Sequence, residues 1–142
     1  MESENIVETL VSQHRKLQKD LGSLSEVLAQ KEPNVQIIDV LLQQFSHDLM
    51  THLHLENEVF YVDLLQKMKN KGQDTKKTEL FIAEMKDIEK AIIIFLDTNN
   101  TNEKISQNID LLRINLPSIV NTLNLRIESE ESGVYSYWGL FK

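Results

Sequence analysis

The chain has 142 residues, a formal net charge of −7, four glycines, two prolines and no cysteine. This length suits one domain with a sizeable core. The absence of cysteine excludes a disulfide framework, a thiolate metal site and a cysteine nucleophile, and the acidic balance disfavours nucleic acid or an anionic membrane surface as a partner.

The acidic, polar N-terminus does not read as a signal peptide. The longest apolar run, residues 91–96, is far too short to span a bilayer. So few glycines and prolines leave few turns for a sheet. The expectation is a cytoplasmic, all-α protein forming a single domain over residues 1–142.

Four periodic stretches follow one another. The first helix is expected over about residues 5–30, with Ile6, Leu10, Leu17, Leu21, Leu24 and Leu28 at helical spacing. Pro33 suits the start of a second helix, expected over about 35–69. Its stripe is Ile38, Leu41, Leu42, Phe45, Leu49, Leu53, Val59 and Phe60. Asp74 and Thr75 are suited to cap a third, expected over about 77–97, with Phe81, Met85, Ile88, Ile92, Phe95 and Leu96 inward. Asn100 and Glu103 have the spacing of a capping box before a fourth helix, whose stripe is Leu112, Leu116, Ile119, Leu123, Ile127 and Val134. Pro117 predicts a kink or a fresh start there, and Gly139 a terminator. Long amphipathic helices with short connections predict an up-down-up-down antiparallel four-helix bundle.

The second helix carries two His/Glu pairs at i,i+4 spacing, His52/Glu56 and His54/Glu58. A helical wheel separates them. His52 and Glu56 lie within about 40° of the centre of the apolar stripe, whereas His54, Glu58 and His47 fall on the opposite face. His14 lies on the inward side of the first helix, and Glu130 near the middle of the fourth helix's stripe, with Arg126 toward its edge. A single inward histidine is most often a satisfied core residue. Two histidines and two glutamates on the inward faces of three helices are another matter, because buried ionisable groups are costly unless paired or bound to a cation.

The chain also repeats itself. Residues 126–135 echo residues 52–61, so that Arg126 corresponds to His52, Glu130 to Glu56 and Tyr135 to Tyr61. Residues 85–92 echo 14–21, with Met85 in the place of His14. The pattern is two helical hairpins of one design.

A histidine on the first helix, His-x-x-x-Glu on the second and a glutamate on the fourth resemble the hemerythrin-like HHE family over nearly the full chain. The strongest piece is His52-x-x-x-Glu56 followed by Val59 and Phe60. The resemblance implies a bundle that holds non-haem iron, often as a bridged pair, in proteins that carry or sense oxygen or repair oxidised iron centres. It assigns His14, His52, Glu56 and Glu130 as metal ligands. Met85 and Arg126 stand where the family supplies imidazole.

These replacements limit the chemistry. Methionine is a poor ligand for hard ferric iron. A guanidinium cannot ligate, and at about 5 Å and an effective dielectric near 20 it repels a divalent ion by roughly 6–7 kcal/mol. Four donors suffice for one ion and fall short of the roughly six that carboxylate-bridged pairs use. Two readings stand: a bundle holding at most one metal ion, iron first or another divalent metal, for sensing or storage; or a metal-free bundle acting as a protein interaction or signalling module, with residues 137–141 as a contact if exposed. No Glu-x-x-His of the ferritin-like oxidases, nucleophile constellation or phosphate-binding loop occurs, so an enzymatic role has no positive support.

Overall fold

The computed structural model describes residues 6–140, all helical apart from short connections, with no strand among them. Helix α1 spans Ile6–Leu28 and α2 spans Val35–Leu55; α2 runs through a π-helical turn, Glu56–Phe60, into α3, Tyr61–Asn70. Helix α4 spans Lys76–Thr98. A short α5, Asn102–Gln107, leads into α6, Ile109–Ser132, and α7, Val134–Leu140. Residue 5, expected at the start of the first helix, lies outside the described residues.

The ends follow local chemistry. Asn34 caps α2 by accepting from the N–H groups of Gln36 and Ile37. Asp74 accepts from the N–H of Lys76 at 3.0 Å at the start of α4. Gly72, at φ +71°, supplies the left-handed residue that turns α3 toward α4.

Buried side chains form two apolar clusters. One gathers Leu17, Leu21 and Leu24 with Phe45, Leu49, Ile92, Phe95, Leu116, Leu123 and Ile127. The other gathers Ile6, Leu10, Phe60, Tyr61, Leu64, Ile82, Val134, Tyr135 and Trp138. Each full burial of a leucine or phenylalanine contributes about 1.5–3 kcal/mol relative to exposure. The chain visits the second cluster at the start of α1, the end of α2–α3, the start of α4 and the end of α6–α7. That alternation is the up-down-up-down order of an antiparallel four-helix bundle. Between the clusters lie His14, His52, Glu56, Met85, Arg126 and Glu130, every one buried.

Several local expectations are corrected. Val59 is exposed, because the π turn inserts one residue and turns the stripe onto Phe60, Tyr61, Leu64 and Met68. Pro117 sits on the exposed side of an unbroken α6; the interruption falls at Asn108. Thr101, not Asn100, caps α5 by accepting from the N–H of Lys104. Gly139 lies within α7, and the break comes at Gly133. Trp138 is buried against Phe60, capping the bundle, while Tyr137 and Leu140 are exposed and Phe141 lies outside the described residues.

Candidate metal centre

Three helices bring the four expected donors together. His14, His52, Glu56 and Glu130 each offer one atom, and these atoms lie within 4.8 Å of one another. His14 Nε2 is 3.1 Å from His52 Nε2 and 3.2 Å from Glu130 Oε1. His52 Nε2 is 3.5 Å from Glu56 Oε2. Donors at right angles around a first-row metal, each about 2.1 Å from it, lie about 3 Å apart. His54 and Glu58 pair with each other on the surface, 71% and 64% exposed, as the wheel requires.

The outer nitrogens fix the tautomers. His14 Nδ1 lies 2.8 Å from Glu131 Oε2, and His52 Nδ1 lies 2.7 Å from Gln13 Oε1. Both partners are acceptors, so each Nδ1 carries the proton and donates it. Each Nε2 then presents a bare lone pair, and the two lone pairs face each other. Glu130 Oε1 is buried beside them with no hydrogen bond, its charged neighbour being Arg126 Nε at 3.4 Å. Acceptors gathered this way require a proton or a cation between them. The donor set therefore fits one metal ion, with His14 and His52 oriented by hydrogen bonds from behind, as metal-binding imidazoles are.

Arg126 completes the layer. Its guanidinium reaches Glu56 Oε1 at 2.5 Å, Glu130 Oε1 at 3.4 Å, the Met85 carbonyl at 3.2 Å and Glu89 at 3.8 Å. Met85 is buried with its side chain in the core. At the place corresponding to the first half's two imidazoles, the second half thus holds a thioether and a fixed positive charge.

Burial pushes the Glu56 carboxyl up, but the hydrogen bond with Glu130 and the charge of Arg126 outweigh it and hold the group below the carboxylate range. Burial pushes Glu130 up, and the charge of Glu56 adds to it. Burial lowers His14, against the pull of Glu131. Of the two carboxyls, Glu130 is the one pushed toward its protonated form.

Two residues join the site that sequence reading left out. Tyr61 donates to Glu130 Oε2 at 2.6 Å, and Tyr135 donates to Glu56 Oε2 at 2.5 Å. Each tyrosine reaches the glutamate of the opposite repeat. The repeat pairs Tyr61 with Tyr135, which is the signal that could have found them. Both lie five residues beyond their own glutamate, about 140° away on a straight helix. The π turn closes that gap in one arm, where the Tyr61 N–H bonds to the Glu56 carbonyl, and the break at Gly133 interrupts the other.

A helical bundle with a buried layer of histidine and glutamate donors defines a class of cation-binding proteins. The family model of the hemerythrin HHE cation binding domain matches residues 5–138, and the chain belongs to that family. No curated protein and no solved structure matches the chain significantly. No helix among the described residues is long and apolar enough to cross a membrane.

Proposed function

We propose that this bundle binds a single metal ion, iron first, through His14, His52, Glu56 and Glu130, and serves in sensing or storage. The observation that carries this reading is the pair of Nε2 atoms 3.1 Å apart, each with its Nδ1 committed elsewhere. Bound iron would supply a redox-active centre open to a small ligand. The chain does the rest: Glu131 and Gln13 hold the imidazoles in the ligating tautomer, Tyr61 and Tyr135 orient the carboxylates, and the two apolar clusters exclude water. Arg126 takes the charge and the space that a second ion would need, so reversible oxygen carriage by an iron pair is not expected.

The metal-free reading draws on one observation. Arg126 paired with Glu56 leaves a self-consistent neutral core when Glu130 is protonated. Elemental analysis of protein purified without chelators separates the two. One ion per chain, lost in His52→Ala, supports the metal site. Two ions with an oxo-bridge absorption band refute the half-site. Protein that takes up no iron on titration is the metal-free module.

A further inference from the structure

The hydroxyl of Tyr135 does not merely orient a ligand; it lies among the ligand atoms. It is 2.5 Å from Glu56 Oε2 and 3.2 Å from His14 Nε2, spacings like those separating the four donors themselves. Its ring is nearly parallel to that of His14, 14° between planes at 5.4 Å, and Phe60 packs edge-on against it at 5.1 Å. The side chain is therefore held from two directions, with its oxygen fixed inside the layer. Tyr61 differs: it binds Glu130 Oε2, whereas the oxygen facing His14 is Oε1.

We propose that Tyr135 is a fifth metal ligand, donating its phenolic oxygen to a ferric ion held by His14, His52, Glu56 and Glu130. This rests on the metal-binding function proposed above. Oxygen donors suit a hard trivalent cation. The charge balance agrees. With both carboxylates ionised and Arg126 present, a divalent ion leaves one net positive charge in the layer. A trivalent ion leaves two, and a phenolate restores the balance to one. The bond to the ion takes the place of the O–H bond, and the released proton passes to solvent. Tyr135 would thus set the preference between ferrous and ferric iron, a role that neither the four-donor set nor Arg126 fills.

The test uses the full-length chain loaded with one equivalent of ferric iron supplied as its nitrilotriacetate complex. Bound iron is counted by elemental analysis after desalting, and visible absorption and resonance Raman spectra are recorded. A phenolate-to-iron charge-transfer band with tyrosine ring modes is expected in the wild type. It should vanish in Tyr135→Phe, whose folding is checked by far-ultraviolet circular dichroism, and persist in Tyr61→Phe. Iron bound without such a band overturns the ligand assignment while leaving the proposed function standing. A band that survives in Tyr135→Phe or disappears only in Tyr61→Phe also overturns it. If no iron binds, the proposed function fails and this assignment fails with it. Where Tyr135→Phe does not fold, ring-deuterated tyrosine in Tyr61→Phe, whose one tyrosine besides Tyr135 is the exposed Tyr137, gives the answer: ring modes that shift support the Tyr135 phenolate, and modes that do not shift exclude it.

Discussion

Arg126 and Glu56 meet at 2.5 Å in the middle of the bundle, and neither side chain reaches solvent. Desolvating such a pair costs nearly as much as its attraction returns, but removing one partner strands the other. Arg126→Met should therefore destabilise the metal-free protein by about 3–5 kcal/mol. Urea unfolding followed by circular dichroism measures it. A midpoint unchanged from wild type would mean that the guanidinium is not what neutralises the layer.

On the proposed function, the same residue limits the stoichiometry to one ion. Combining Arg126→His with Met85→His supplies two imidazoles in the second half-site and removes the opposing charge. Metal uptake in equilibrium dialysis should rise from one ion per chain toward two. The single change Met85→His should leave it at one, since the guanidinium stays. Uptake unchanged in the double variant would place the obstacle elsewhere.

Away from the metal layer, Asp20 of α1 faces Asp48 of α2, with Lys16, Lys19 and His47 as the neighbouring charges. Burial, then the hydrogen bond to Asp48 and its negative charge, pushes the Asp20 carboxyl from 3.8 up to about 7. Between those values the folded chain holds a proton that the unfolded chain has lost. Stability from this group is thus fully present below about pH 4, falls as pH rises and is gone above about pH 7. Asp20→Asn mimics the protonated form. It should be more stable than wild type at pH 8 and flatten the decline between pH 4 and 7 in urea midpoints. Parallel curves for the two proteins would contradict the assignment.

Gly133 is required by space. A Cβ there would lie 2.7 Å from the carbonyl oxygen of Ser129, a backbone atom that cannot step aside. Gly133→Ala should cost about 1–3 kcal/mol, the usual penalty of overpacking. It should also displace Tyr135 two residues on, weakening iron retention during desalting. Wild-type stability in this variant would show that the α6–α7 joint relaxes freely.

Most of the fold is legible in the sequence because apolar residues at helical spacing leave one angular solution per helix. That spacing separates His52 and Glu56 from His54 and Glu58, although both pairs share the same interval. It also brings His14 and Glu130 to the same depth. What a straight wheel cannot carry is a change of pitch. Val59 falls inside on paper and outside in the fold, and Tyr61 and Tyr135 fall away from the glutamates they serve in space. Glu131 and Gln13 are hidden for another reason: they are half-exposed polar residues next to ligands, and nothing in their spacing separates them from other surface side chains.

The π turn at Glu56–Phe60 divides the second arm of the bundle into two helical phases. Upstream of it, residues 38–56 keep the frame that delivers His52 and Glu56. Downstream, Phe60, Tyr61, Leu64 and Met68 keep a frame of their own, rotated by about one residue, or 100°. The two frames are joined along the chain by these five residues, and across the core by Tyr61 on Glu130 and Phe60 on Tyr135. An insertion or deletion confined to the turn therefore acts as a rotation, not as a break in the helix, and it would turn Phe60 and Tyr61 away from Tyr135 and Glu130 while leaving His52 and Glu56 in their frame. Sequence comparison that slides this arm as one rigid frame will align either the donors or the tyrosine, and lose the other.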